Sequence, residues 1–468
     1  MNQEIAKQLL ATSGINRRDA LKLIALLPTL AAASTQNNNN SPTNFDKVSI
    51  AIVGAGAGGI SVAARLSKEL PNATITIIDK NERHLYQPGQ TLVAAGVYKF
   101  SEIQKENSEL IPNGVLWEKS NVNEFDPETN ALYLENGKKI KYDFLVVATG
   151  LVSHFENIPG LSRKMIGEHG IASIYDPIGA TRTFSLIQNN AKKSNSQKVN
   201  ALFTQPNSPL KCAGAPKKIL FLAHDYIRNN GIEENCNFEF LPDSSQLIGV
   251  DPFEKALTSQ FEERKIKTQF HSTLLKVDPI RQEATFKQIL QSQGEWDDHI
   301  NDYETIYTTV TNTKPYDFLH VTPPMSAPSS VKNSSLAWQK GNAMKHGLIE
   351  VNQYTLQHKR YDNIFSLGDV IGTPIGKTGG SVRMQVPIVV ANINNAIQNK
   401  DLSAKYSGYT VCPIITGYGS VMMAEFDYEG LASSISWADP TSERWLWWLI
   451  KVYALKPLYF YGMLKGLA

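Results

Sequence analysis

Residues 47–70 read KVSIAIVGAGAGGISVAARLSKEL, and TITIIDK follows at 74–80. An alternating apolar run passes through glycines into a helical pattern, and a second apolar run ends in an acid. This is the order strand, turn, helix, strand. Gly54 permits the tight turn, Gly56 lets the backbone approach a pyrophosphate, and Gly59 brings helix and strand together. The helix N-terminus supplies N–H groups and positive potential to the same spot. Asp79, closing the second strand, is placed to accept from ribose hydroxyls. The expectation is a dinucleotide-binding α/β unit.

Two stretches farther out decide which dinucleotide. DFLVVATG at 143–150 is a buried strand ending in a small-residue turn, Thr149-Gly150, and NIFSLGD at 363–369 is another, ending in Gly368-Asp369. FAD is long enough to need a second clasp of this kind, with Asp369 suited to ribityl hydroxyls and Gly368 to close approach. FAD is therefore expected rather than NAD.

The rest of the chain sets bounds. At 468 residues, 42% apolar, 19% charged and a formal charge of +2, the composition is that of a multidomain globular protein, with no dominant basic face for nucleic acid. Near the N-terminus, Asn16-Arg17-Arg18-Asp19 precedes a short apolar stretch, Leu23 to Leu30, and then Ala31-Ala32-Ala33. Charged, apolar, small is the order of an export signal, and the paired arginines read as a twin-arginine type. That reading puts the mature protein in a bacterial periplasm, with the polar tract Asn37 to Asn40 lying in a linker.

The three cysteines are Cys212, Cys236 and Cys412, with no CxxC and no paired metal spacing, so neither a disulfide scaffold nor a metal site is expected. Cys212 lies in NSPLKCAGAPKK at 207–218, after the apolar run Val199 to Phe203. A nicotinamide-using protein would place a glycine loop for a second pyrophosphate here. This loop instead has prolines at 206, 209 and 216, which remove the N–H donors an anion needs. NADH is thus disfavoured as electron donor. Lys211, Lys217 and Lys218 can favour a thiolate at Cys212, although the commoner reading of such a run is a solvated basic turn. Cys236, between Glu233-Glu234 and Glu239, reads as a polar turn entering a strand, where acids raise the thiol pKa.

With ERHLYQPGQTLVAAG at 82–96, HVTPPMSAP at 320–328, GDVIGTPIGKTGGSVRMQ at 368–385 and YSGYTVCPIITGYGSVMMAEFDY at 406–428, the chain from Lys47 onward resembles the sulfide:quinone oxidoreductases, mitochondrial-like branch. The resemblance implies an α/β fold of two tandem Rossmann-type dinucleotide-binding domains plus a C-terminal amphipathic membrane-attachment region. With the signal read from the residues at 1–34 and a linker at 35–46, the expected division continues with a first part of the FAD domain at 47–157. The second Rossmann-like domain, carrying Cys212, follows at 158–318, the second part of the FAD domain at 319–398, and a C-terminal region with Cys412 at 399–468. The resemblance puts Cys212 and Cys412 on a redox-active pair, a disulfide or one bridged by extra sulfur. The persulfide falls to Cys412 and the flavin-facing thiolate to Cys212. It also puts Gly58, Asp79, Gln87, the Val122 backbone, Asp369 and the Lys377-Thr378 turn on FAD contacts. No cysteine suits a covalent flavin link, so the FAD is expected to be non-covalent. Sulfide, a membrane quinone and an unspecified sulfur acceptor are the implied partners, with a homo-oligomer possible.

From Trp437 to the end, Trp445, Trp447, Trp448, Tyr453, Tyr459, Phe460 and Tyr461 alternate with Arg444, Lys451, Lys456 and Lys465. The uncharged runs are shorter than the roughly 20 residues of a spanning helix. Aromatics among cations suit the headgroup level of one leaflet, with Pro457 expected to split two short interfacial helices. Three other readings share parts of this pattern: the flavoprotein subunit of a flavocytochrome c sulfide dehydrogenase, passing electrons to haem; a non-pumping NADH:quinone oxidoreductase; and a non-catalytic flavin-bearing sulfur carrier. The aromatic tail favours quinone over cytochrome.

Overall fold

A computed structural model describes residues 48–297, 302–432 and 439–468. The expected signal at 1–34, the linker at 35–46, Lys47 and Trp437 lie outside them.

The strand Ser49–Val53 is the centre of a five-stranded parallel sheet, in the order Ile364–Ser366, Phe144–Val147, Ser49–Val53, Thr74–Ile78, Leu116–Glu118. Its residues Ile50, Ala51, Ile52 and Val53 are all buried, as expected for a parallel strand covered on both faces. Ordering the strands this way brings Gly54, the Ala148-Thr149-Gly150 turn and Leu367-Gly368-Asp369 to the carboxyl ends of three neighbouring strands. Ligands of open α/β sheets bind at that edge. The helix Ala57–Glu69 leaves from it, and Gly59 explains how closely. A Cβ on Gly59 would lie 1.9 Å from the Gly54 carbonyl oxygen, so only glycine lets this helix seat on its strand.

A second parallel sheet runs Ile171–Ala172, Phe318–His320, Val199–Gln205, Cys236–Pro242, Lys267–Thr268. Its core is aromatic, with Phe203, Phe221, Phe238 and Phe240 all buried. The central strand Val199–Gln205 feeds the loop that carries Cys212, and the helix Ala215–Asn229 follows at once. An antiparallel ribbon, Glu283–Asp297 with Asp302–Pro315, extends from this half.

The hairpin Thr410–Gly417 with Ser420–Asp427 joins the two halves through the alternation of a β-strand. Cys412, Ile414, Met422 and Ala424 enter the second core, while Ile415, Val421 and Met423 enter the first. After it, residues 445–465 form one continuous helical run. The expected split at Pro457 does not occur. Wide π-type turns, Ile450–Ala454 and Leu458–Gly462, flank the short α segment Leu455–Pro457 and let the backbone pass the missing N–H. Most of the apolar side chains of this run are spent on packing. Trp447, Ile450, Tyr459, Phe460, Met463 and Leu464 belong to the first core, whereas Trp445, Tyr461 and Leu467 are exposed. Among the described residues no helix is long and apolar enough to cross a membrane.

Candidate functional site

A cavity of about 440 Å³ opens where the edges of both sheets, the hairpin and the tail meet. Its walls include Gly54, Gly56 and Gly58 from the first loop, Asp79, Gln87, Thr149, Gly150, Gly368, Asp369, Lys377 and Thr378, together with Cys212 and Cys412. Gly59 stands just behind, in the helix–strand contact described above. Val122 is the exception. It opens the strand Val122–Asp126, is buried opposite Leu134, and does not line the cavity. Its proposed backbone contact with FAD lacks a counterpart in this wall.

The residues at the first loop fit a dinucleotide. Gly54 has φ +108°, a backbone state costly for any other residue, and a side chain there would meet the Ala148 carbonyl oxygen at 2.5 Å. A Cβ on Gly56 would meet nothing within 4 Å, so the loop faces open space. No side chain caps the helix that begins at Ala57. Asp79 shapes this loop, its carboxylate accepting from the Ala55 N–H at 2.7 Å and from the Asn81 backbone and side-chain amides, each at 2.8 Å. The buried Thr149 hydroxyl has no partner within the protein, an orphan a bound ligand would satisfy. Opposite, the Gly368 N–H donates to Gln385 Oε1 at 2.8 Å, and Lys377 Nζ to the carbonyls of Asp369 and Ile371 at 2.8 and 2.6 Å. Burial holds the Asp369 carboxyl above its usual range, although Lys377 and Lys211 oppose the shift.

The cysteines, 200 residues apart in sequence, stand with their sulfurs 3.6 Å from each other. Cys212 has φ +59°, left-handed backbone for a residue that carries a side chain. The surroundings hold it there: its N–H donates to the Lys377 carbonyl at 3.0 Å, and its carbonyl accepts from the Ala215 N–H at 2.9 Å and the Tyr175 hydroxyl at 3.3 Å. Gly214 makes room for the other sulfur, since a Cβ there would lie 2.6 Å from Cys412 Sγ.

Lys217 and Lys218 do not form a solvated turn. Both are buried, because the helix Ala215–Asn229 turns their stems into the second core. Lys218 Nζ reaches Cys212 Sγ at 3.3 Å, while Lys217 Nζ donates to Gln205 Oε1 at 2.8 Å and the Ala213 carbonyl at 3.1 Å. A third buried lysine, Lys451 of the tail, lines the cavity with Lys218 and donates to the Pro88 carbonyl at 3.0 Å. The Cys412 thiol donating to it, together with the Lys218 charge, holds Cys212 well below the usual thiol range against the cost of burial. Cys412 keeps the shared proton and is pushed well above that range. Burial opposes the Lys218 charge too, but the two sulfurs raise its pKa above that of an ordinary lysine. Burial brings Lys217 down to about 8 and, with Lys218 nearby, Lys451 to about 7.

Cys236 opens the strand Cys236–Pro242 inside the second core, away from the cavity. Its thiol is pushed up to about 12, by burial first and not by the acids preceding it in sequence. The tail contributes one more link. His84 Nδ1 lies 3.1 Å from the Ala55 carbonyl and 3.2 Å from Asn107 Oδ1, both acceptors, so it carries the proton. Nε2 then accepts from the Tyr459 hydroxyl at 2.6 Å, tying the tail to the glycine loop.

Two cysteine sulfurs 3.6 Å apart beside a cavity whose glycine loops fit a dinucleotide, at the carboxyl edge of a parallel sheet, are the arrangement of a dinucleotide-dependent oxidoreductase. The family model described as pyridine nucleotide-disulphide oxidoreductase matches residues 48–179. The chain is 36% identical over 418 residues to the mitochondrial sulfide:quinone oxidoreductase of Dictyostelium discoideum, and 35% identical over 418 residues to that of Mus musculus. Each match covers 89% of this chain and 86% of the relative. The chain belongs to the sulfide:quinone oxidoreductase family of enzymes, and a flavin comes with that membership. The crystal structure of the sulfide:quinone oxidoreductase from Aquifex aeolicus shares the fold, with a TM-score of 0.64 at 21% identity over 81% of this chain and 84% of that one.

The expected bacterial periplasmic location is overturned by these relatives, which are named as mitochondrial proteins. Basic residues, few acids and small residues near an N-terminus also occur in organelle-targeting segments, so their order alone does not decide the compartment.

Gly214→Ala tests the spacing of the sulfurs. A methyl group 2.6 Å from Cys412 Sγ forces the hairpin back, so the Cys212–Cys412 disulfide is expected to form at least tenfold more slowly while flavin content stays near wild type. Thiol counting and peptide mass mapping of oxidised protein read the result. A wild-type rate of linkage would show that this contact does not set the spacing.

Proposed function

We propose that this protein oxidises sulfide and delivers the electrons to a quinone, through a Cys212–Cys412 pair beside a non-covalently held FAD. The observation that carries the reading is the pair itself, 3.6 Å between sulfurs with the Lys218 ammonium 3.3 Å from one of them, in a cavity that glycine loops leave open. Gly54, Gly56, Gly58 and Asp79 would hold the adenosine diphosphate part of FAD, and Thr149, Gly150, Gly368, Asp369, Lys377 and Thr378 the remainder. Bound there, the flavin supplies a two-electron relay between sulfur and quinone. With Cys236 buried in the second core and Cys212 and Cys412 needed for the pair, the described residues leave no cysteine for a covalent link.

The direction of sulfur attack follows from the electrostatics. Starting from the disulfide, HS⁻ adds to one sulfur, the S–S bond breaks, and the other sulfur leaves as a thiolate. The thiolate of lower pKa leaves faster. The Lys218 ammonium, 3.3 Å from Cys212 Sγ, is placed to receive a thiolate there, so attack falls on Cys412 and leaves a Cys412 persulfide and a Cys212 thiolate, balanced in atoms and charge. NADH is not supported as the donor. Where a second pyrophosphate would lie, the start of the helix Ala215–Asn229 carries Pro216 and the buried stems of Lys217 and Lys218. Transfer to a haem partner is not favoured either, since the relatives are named as quinone oxidoreductases.

Attachment to one membrane leaflet rests on Trp445, Tyr461 and Leu467, the exposed large apolar side chains of the helical run and C-terminus. Lys105 lies 4.7 Å from the Tyr461 ring, leaving a cation beside an aromatic at the surface. This exposed set is smaller than the sequence implied, because Trp447, Tyr459 and Phe460 face inward.

Mixed anaerobically with sulfide, the purified protein should lose its oxidised-flavin absorbance rapidly and regain it on addition of a quinone, whereas NADH should leave it unchanged. Cys212→Ser and Cys412→Ser should keep the flavin and lose at least a hundredfold in sulfide-dependent quinone reduction, with Cys236→Ser near wild type. Stoichiometric reduction by NADH, or a Cys236→Ser protein as inactive as the other two, would refute the assignment. For the membrane, the triple change Trp445→Ser, Tyr461→Ser, Leu467→Ser should weaken sedimentation with lipid vesicles at least tenfold while sparing reduction by sulfide. Unchanged sedimentation would exclude these side chains as the attachment.

A further inference from the structure

The helix Ala215–Asn229 carries Lys218 and Asp225 seven residues apart, close to two full turns, and so on one face. Lys218 reaches the sulfurs at one end of the strand Thr410–Gly417, and Asp225 reaches the turn at the other end. Asp225 is 4% exposed. Oδ2 accepts the Tyr418 N–H at 2.8 Å, and a Cβ on Gly417 would come within 3.1 Å of that same oxygen. Arg228 pairs with Oδ1, and Asn229 Nδ2 lies 3.4 Å from Oδ2, so the carboxylate is fixed before the turn meets it. Beyond the turn, the Tyr418 hydroxyl donates to the Ala95 carbonyl at 2.8 Å.

This geometry sets a register. A strand advances about 3.3 Å per residue, and a one-residue slip sends every side chain to the opposite face. Cys412 lies five residues before Gly417, so whatever fixes the turn also fixes where the Cys412 sulfur lies along the helix. Asp225 lines no part of the cavity and touches neither sulfur. We propose that Asp225 is a positioning residue for the cysteine pair: by holding the Tyr418 N–H it keeps the hairpin that bears Cys412 in register with the helix that follows Cys212. The proposal rests on the reading of Cys212 and Cys412 as the redox pair.

The test equilibrates holoenzyme with mixtures of reduced and oxidised dithiothreitol and quantifies the Cys212–Cys412 link by peptide mass mapping. In Asp225→Ala the equilibrium constant for forming the link should fall about tenfold or more, about 30 mV in potential. Alkylation of Cys212 should also need a higher pH, as its thiol partner moves away. Asp225→Asn keeps an oxygen for the Tyr418 N–H and should remain within about twofold of wild type. If Asp225→Ala does not fold, Gly417→Ala, which crowds the same carboxylate from the turn, is measured in its place with the same expectation. A wild-type equilibrium and alkylation profile in Asp225→Ala, or in Gly417→Ala where that stands in, overturns the proposal. Failure of the wild-type protein to form the link at all would overturn the underlying pair, a different and separately visible result.

Discussion

The Lys218 ammonium, buried and 3.3 Å from the Cys212 sulfur, is the contact on which the rest of the site depends. An unpaired ion in a protein interior costs several kcal/mol, and Lys217, Lys218 and Lys451 are all buried, the last two in the cavity wall. Only Lys218 has a sulfur anion to meet, and it alone of the three is pushed toward a firmer charge. Lys217 at about 8 and Lys451 at about 7 shed theirs more readily. Together with the hydrogen bond from the Cys412 thiol, the Lys218 contact holds Cys212 toward the thiolate and leaves the proton on Cys412. The left-handed backbone of Cys212, a state that costs on the order of 1–3 kcal/mol, is held by its bonds to Lys377, Ala215 and Tyr175.

Bringing that contact about requires both halves of the molecule. Cys212 comes from the edge of the second sheet and Lys377, which accepts its N–H, from the first. Cys412 sits on a hairpin that places alternate side chains into each core, so the two halves are held together at the point where the sulfurs meet. The tail completes the enclosure. Lys451 and Tyr459 line the cavity, and through His84 the Tyr459 hydroxyl is connected to the carbonyl of Ala55 in the glycine loop. A segment whose composition suits a membrane surface is in large part a wall of the flavin cavity.

What could be read in the sequence follows the range of the interactions involved. Gly54 to Asp79 form a local unit in which turn, helix and strand are contiguous, so their spacing alone gives the loop at the sheet edge. The partnership of Cys212 with Cys412 crosses 200 residues and came only through family resemblance, with no local signal to carry it. Lys217 and Lys218 looked solvated because a basic dipeptide beside a proline usually is. Their burial is a property of the core against which the following helix packs. Gly214 and Lys451 were missed for the same reason, one an ordinary loop glycine in sequence and the other one cation among several in an aromatic tail. The acids beside Cys236 in sequence suggest a poor nucleophile, but burial is what first raises its pKa.

The most direct test of this account is the pH dependence of cysteine alkylation in anaerobically reduced protein, resolved by peptide mass mapping. An ordinary thiol titrates near pH 8.5. Cys212 should react with iodoacetamide at pH values well below that, Cys412 only well above it, and Lys218→Met should move the Cys212 profile upward by at least one pH unit, tenfold in reactivity at a fixed acidic pH. If both cysteines titrate as ordinary thiols, or if Lys218→Met leaves the Cys212 profile where it was, the buried lysine does not hold the thiolate and the account is wrong.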